Sequence, residues 1–268
     1  MIKRLVLLTL VVFSLFGCTP FQFGFNKKDD KKIEALDSQP IIDITLSANE
    51  ISQFNKKTDS SYEEIVASNR AILPNSIFAG YKTDPCLWTN LNPVLNNLIN
   101  LEMKSAVTPQ QDAQKYINLM LSLLDESREY RAVVVETDAE PAYFVGRYIF
   151  IGRKEIESCR DEAVLAEVLS FRLLRNVQIN RRFELKHPLY TDKSKKLAEI
   201  IKVVKSEWEI DYESDVNSHI YDSVMLIMRR AGFEPSRESV NESDQVKEYL
   251  GRTLKFVKPL QRHKKVFD

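Results

Sequence analysis

The chain has 268 residues, 44% hydrophobic and 28% charged, with 38 Lys plus Arg set against 38 Asp plus Glu. That length and apolar content suit one sizeable domain with a tail, and the charge balance excludes the basic domain that a nucleic-acid partner demands. Only His187, His219 and His263 represent histidine, which excludes a histidine-rich zinc site.

The N-terminus carries the first organised signal. Lys3 and Arg4 precede an apolar run over residues 5–16, and Gly17-Cys18 closes it. Such a run is too short to span a bilayer and reads as a secretory leader. The ending Leu15-Phe16-Gly17-Cys18 resembles a bacterial lipobox. It implies cleavage after Gly17, acylation of Cys18 and attachment through lipid chains rather than a transmembrane helix. A leader cut elsewhere without lipid is the plainer alternative. Thr19, where Asp would signal retention, points to the outer membrane with the chain facing the periplasm. Loss of residues 1–17 removes two cations and leaves the chain slightly negative.

Residues 18–60 read as a tether with mixed-charge runs at 26–32 and 55–61, interrupted by a possible short strand at 41–46. The domain is expected over 61–268. Helices are predicted over 62–73, stopped by Pro74, and over 91–103. Another is predicted over 109–126, with Thr108 as N-cap and Pro109 at the first helical position. Two strands follow, at 131–136 and 142–151. A short charged turn leads into a helix over 161–180. A basic amphipathic stretch covers 193–205, and a long helix covers 209–230 with Gly232 as its left-handed cap. A last helix is predicted over 243–257, followed by a basic tail holding Arg262, His263, Lys264 and Lys265. Seven glycines in the whole chain suit a helical domain with few tight turns.

The helix over 161–180 carries the argument about chemistry. Its sequence runs Ala163-Val164-Leu165-Ala166 and then Glu167-Val168-Leu169-Ser170-Phe171, after the apolar strand at 148–151. Further on stands Ala231-Gly232-Phe233-Glu234-Pro235. This order resembles the zinc peptidases of the HtpX and CAAX prenyl protease type (metallopeptidase family forty-eight), over about 130–235. In that family A-V-L-A leads into H-E-x-x-H, and a later acidic helix ends in A-G-[YF]-x-P. Two histidines at i and i+4 share one helical face and grip a zinc, while the glutamate works on its bound water. Here Glu167, Val168 and Phe171 occupy the three catalytic slots. Glu167 can ligate through oxygen; Val168 accepts no proton; Phe171 has no donor atom. The third-ligand slot falls on Asp211 by one alignment and on Asn217 by another.

The resemblance therefore implies an α+β, mainly helical, zincin-like domain with a small sheet whose catalytic residues are gone. It implies a non-enzymatic envelope factor without a cofactor, binding a polypeptide for quality control or assembly. An extended peptide would add to the strand edge at 148–151. One alternative is a working zinc endopeptidase with Glu167, Asp211 or Asp215, and His219 as unusual ligands. Asp215 and His219 sit at i and i+4, a spacing that suits a solvated helix face more often than a metal. The other is a structural helical lipoprotein, in which Val164, Leu165, Val168, Leu169, Phe171 and Leu173 pack an ordinary core. In an oxidising compartment Cys86 and Cys159 stand either as a disulfide or as two buried thiols. The basic stretches suit a soluble surface, with contact to anionic headgroups as the rarer use.

Overall fold

A computed structural model describes residues 62–73, 108, 110–125, 129–136, 146–186, 202, 206, 219–236 and 253–268. Within them the chain forms helices α1 (Tyr62–Ile72), α2 (Gln111–Leu124), α3 (Arg153–Ser158), α4 (Glu162–Lys186) and α5 (His219–Arg230). Strands β1 (Arg131–Val135) and β2 (Tyr148–Gly152) make a two-stranded sheet, and a 3-10 turn covers Arg262–Val266. The domain is mainly helical with a small sheet, compatible with the α+β class. The elements expected at 41–46 and 91–103 lie outside the described residues. So do most of the basic stretch at 193–205 and residues 142–145 and 209–218. No helix among the described residues is long and apolar enough to cross a membrane.

The strands run parallel, with Arg131 opposite Tyr148 and Val135 opposite Gly152. Ala132, Val133, Val134 and Val135 are all buried, as are Ile149, Phe150 and Ile151. This is the continuous apolar run of a strand covered on both faces. The outer edge of β1 is closed by side chains of α2. Asn118 accepts from Ala132 N–H at 2.9 Å and donates to the Ala132 carbonyl at 2.8 Å. Gln114, one turn earlier, does the same to Val134 at 3.2 and 3.1 Å. Two amides at i and i+4 thus imitate a third strand, since Val134 and Ala132 are two residues apart and expose their peptide groups to the same side. Thr108 N–H also donates to the Val134 carbonyl at 3.0 Å. That backbone engagement explains a correction: Thr108 is not the cap of α2. The helix starts at Gln111 with Gln110 at its N-cap and no side-chain cap bond.

The charged turn expected after β2 is itself helical, as α3. The following helix runs six residues beyond its expected end, to Lys186, stopping just before His187-Pro188. A residue preceding proline disfavours helical geometry. Buried Leu165, Leu169, Leu173 and Val177 put one stripe of α4 into a core shared with α2, β2 and α5. Helix α5 ends as expected. Gly232 has φ +78°, its N–H donates to the Arg229 carbonyl at 3.1 Å, and Phe233 N–H donates to Met228 at 2.9 Å. This is a Schellman cap, which an L side chain adopts only at a cost.

The predicted final helix ends earlier than expected, with residues 243–252 outside the described residues. Thr253 is helical, and the backbone leaves the helix at Leu254. There it is drawn elsewhere: Lys255 N–H donates to Asn69 Oδ1 at 2.9 Å and Val257 N–H to the Gly232 carbonyl at 2.7 Å. Asn69 is fully buried on α1 and donates to the carbonyls of Arg229 and Lys255, both at 2.7 Å. One amide therefore ties α1, the end of α5 and the C-terminal segment together.

Candidate functional site

The start of α4 is a dense polar anchor. Asp161 is its N-cap, with Oδ1 accepting from Val164 N–H at 3.0 Å. Partial burial raises the Asp161 carboxyl, but the Val164 N–H and the Arg160 guanidinium outweigh it and hold the carboxyl below the ordinary aspartate range. Glu162 comes next and is only 3% exposed. Tyr116 Oη donates to its Oε1 at 2.5 Å, and Arg262 donates to both oxygens at 2.7 and 3.0 Å. Its backbone N–H donates to the Leu260 carbonyl at 2.8 Å. Burial, reinforced by the Glu162 charge, raises the Tyr116 phenol well above its ordinary value. A buried carboxylate needs this full set of donors to repay its desolvation.

The three residues that the sequence resemblance aligns with catalytic positions lie one to two turns further along. Leu165, Leu169 and Ser170 between and beside them are fully buried, whereas Glu167, Val168 and Phe171 sit half-buried at the rim. Helix α5 crosses this rim: the Phe171 ring lies 5.8 Å from that of Tyr221, tilted by 34°. Ser236, just after the Ala231-to-Pro235 segment, donates a hydrogen bond to Glu167 Oε2. The fold thus brings together the two segments on which the sequence resemblance rests. Strand β2 also lies beside α4, through Asn176 Nδ2 donating to the Tyr148 carbonyl at 3.0 Å.

Donor chemistry at the slots does not fit a catalytic zinc. Such a site takes three protein ligands plus an open position, and Glu167 alone of the three residues carries a donor atom. Among the described residues no three His, Cys, Asp or Glu side chains are grouped so as to hold a metal. Asp211 and Asp215, like the alternative Asn217, lie outside the described residues. His219 is the first residue of α5.

Several polar residues missed in the sequence hold α4 against the sheet. Arg172, buried, donates from Nη2 to both Glu155 oxygens at 3.0 Å. Asn180 accepts from Gly146 N–H at 2.8 Å, donates to its carbonyl at 2.9 Å, and is bonded to Asn176 at 3.0 Å. Gly146 has φ +124°, a conformation other residues rarely adopt. Residues 172, 176 and 180 recur at i, i+4 and i+8, so a polar stripe inside an apolar helix was the available signal. The expected peptide-accepting edge is also partly used, since Asn176 takes the Tyr148 carbonyl.

Cys159 is a buried thiol whose Sγ–H donates to the Glu155 carbonyl at 3.3 Å. Burial, then Glu155 and Asp161, push it up to about 12 against an opposing Lys264. Cys86 and the lipidation candidate Cys18 lie outside the described residues. The tail is not the solvated basic surface expected throughout. Arg262 serves Glu162, and His263, fully buried, bonds through Nε2 to the Cys159 carbonyl at 2.9 Å.

No protein-family model matches the chain, and no curated protein matches it significantly.

Proposed function

We propose that this chain is a non-catalytic, polypeptide-binding lipoprotein of the outer membrane, facing the periplasm and built on a zincin-like scaffold that has lost its zinc chemistry. One observation carries the reading: at the second histidine slot stands Phe171, packed on Tyr221, which is 41% exposed. Where the resembling peptidases need ligands converging on a metal, this chain presents an aromatic pair at the surface. Glu167, the remaining oxygen donor, is engaged by Ser236. Val168 fills the base slot with a side chain that moves no proton.

An aromatic pair beside a carboxylate suits an extended polypeptide offering an apolar residue, because aromatic side chains bring large contact area at low entropic cost. Quality control or assembly of envelope proteins is the role this serves. The test is binding of fluorescent casein by anisotropy, with gel analysis for cleavage. Intact casein is expected to bind, and Phe171→Ser with Tyr221→Ser to weaken it roughly tenfold, the effect of about 1.4 kcal/mol. Equal binding by parent and double variant, or no binding by the parent, contradicts the reading.

A further inference from the structure

The C-terminal segment 253–268 holds two kinds of cation. Arg262 and His263 turn inward, onto Glu162 and the Cys159 carbonyl. Lys255, Lys258, Lys264 and Lys265 are all exposed, and among the described residues none of the four is in an ion pair. Asp268 is the one acidic residue in the segment. Acids of the adjoining α3 region are already engaged: Glu155 by Arg172, Glu157 by Arg153, and Asp161 by Arg160 and the Val164 N–H.

The backbone beneath these lysines is pinned. Asn69 holds Lys255, Gly232 holds Val257, the Glu162 N–H holds Leu260, and the Arg153 guanidinium lies 4.8 Å over the Phe267 ring. The four lysines therefore stand exposed on a segment held against the fold, in a chain of near-zero net charge.

We infer that this strap is a docking surface for the anionic headgroups of a membrane. Four exposed lysines distributed over residues 255–265 suit an array of negative charges better than a single bound anion. Lysine is a hydrated point charge on a flexible stem, matched to headgroups that present no fixed geometry. The leader expected at residues 1–18 would keep the domain at a bilayer, which favours lipid over an acidic polypeptide. The inference does not depend on polypeptide binding. Each lysine near an anionic surface contributes roughly fivefold in partitioning, the equivalent of about 1 kcal/mol.

The test uses the full-length chain carrying Cys18→Ser, so that acylation plays no part, sedimented with phosphatidylcholine vesicles with and without phosphatidylglycerol. Partitioning is expected to rise with phosphatidylglycerol and to fall back at roughly 1 M salt, where charges are screened within about 3 Å. Lys264→Gln with Lys265→Gln should lower that increment roughly 25-fold, and the two Lys→Arg changes should keep it. Far-ultraviolet circular dichroism checks that the variants fold alike. Equal partitioning to both vesicles, a four-lysine glutamine variant that partitions like the parent, or binding to soluble polyglutamate but not to vesicles would each overturn the inference.

Discussion

Glu162 and Glu167 stand five residues apart on α4 and live in opposite environments. The Glu162 carboxylate is buried between a phenol and a guanidinium and its own N–H donates to the Leu260 carbonyl, so the residue reaches from α4 to α2 and to the C-terminal segment. Glu167 lies at a half-exposed rim and meets a serine. The same contrast runs along the helix, because Arg172, Asn176 and Asn180 serve the α3 and β2 side while Val168 and Phe171 serve an apolar rim. Polar chemistry on this helix holds the fold, and the stretch where the resembling peptidases keep their chemistry carries little of it.

That contrast is broken most severely at Glu162. Arg262→Ala leaves a buried carboxylate without its cation and is expected to cost about 3–5 kcal/mol, read by urea denaturation. An equal midpoint for variant and parent would remove the anchor from the account. Next comes the imitation strand. Asn118→Leu strips both partners from Ala132, at roughly 1–3 kcal/mol for each group left unsatisfied; amide exchange at β1 should accelerate with it.

Gly232→Ala meets two penalties, a left-handed φ costing about 1–2 kcal/mol and a Cβ 2.9 Å from Ile65 Cγ2. A lowered thermal midpoint checks it. Asp161→Ala should cost about 1 kcal/mol as a lost cap, with a pH signature. Its folded carboxyl is held below the ordinary value of 3.8, so the stabilisation is present above that value and is lost as the pH falls through the folded one. The parent–variant difference should close in strong acid. Glu167→Ala, at the other pole, should change stability by no more than about 0.5 kcal/mol.

Where apolar period and end signals decide an element, it was legible in the sequence. The β-branched run of β1, the Gly232 cap and the α4 core stripe are of this kind. The length of α4 was legible only in hindsight from His187-Pro188. Long-range polar pairings were not: Asn69, Gln114, Asn118 and Asn180 each bond backbone far away in sequence, and an amide inside a helix does not announce its partner. The tail misled for the same reason, since Arg262 and Lys264 look alike until Glu162 is brought beside one of them. At the candidate site, the lack of donor atoms at 168 and 171 was plain from residue type alone, whereas the meeting of Phe171 with Tyr221 and of Glu167 with Ser236 needed the fold.

The most direct measurement is zinc content after equilibration with zinc and dialysis, taken on the purified protein and on Glu167→Ala, with casein followed in parallel for binding and cleavage. Far less than one zinc per chain, casein bound intact, and no difference between the two proteins is the expected result. One zinc per chain with casein cleaved, both lost in Glu167→Ala, would make this a working peptidase and contradict the account.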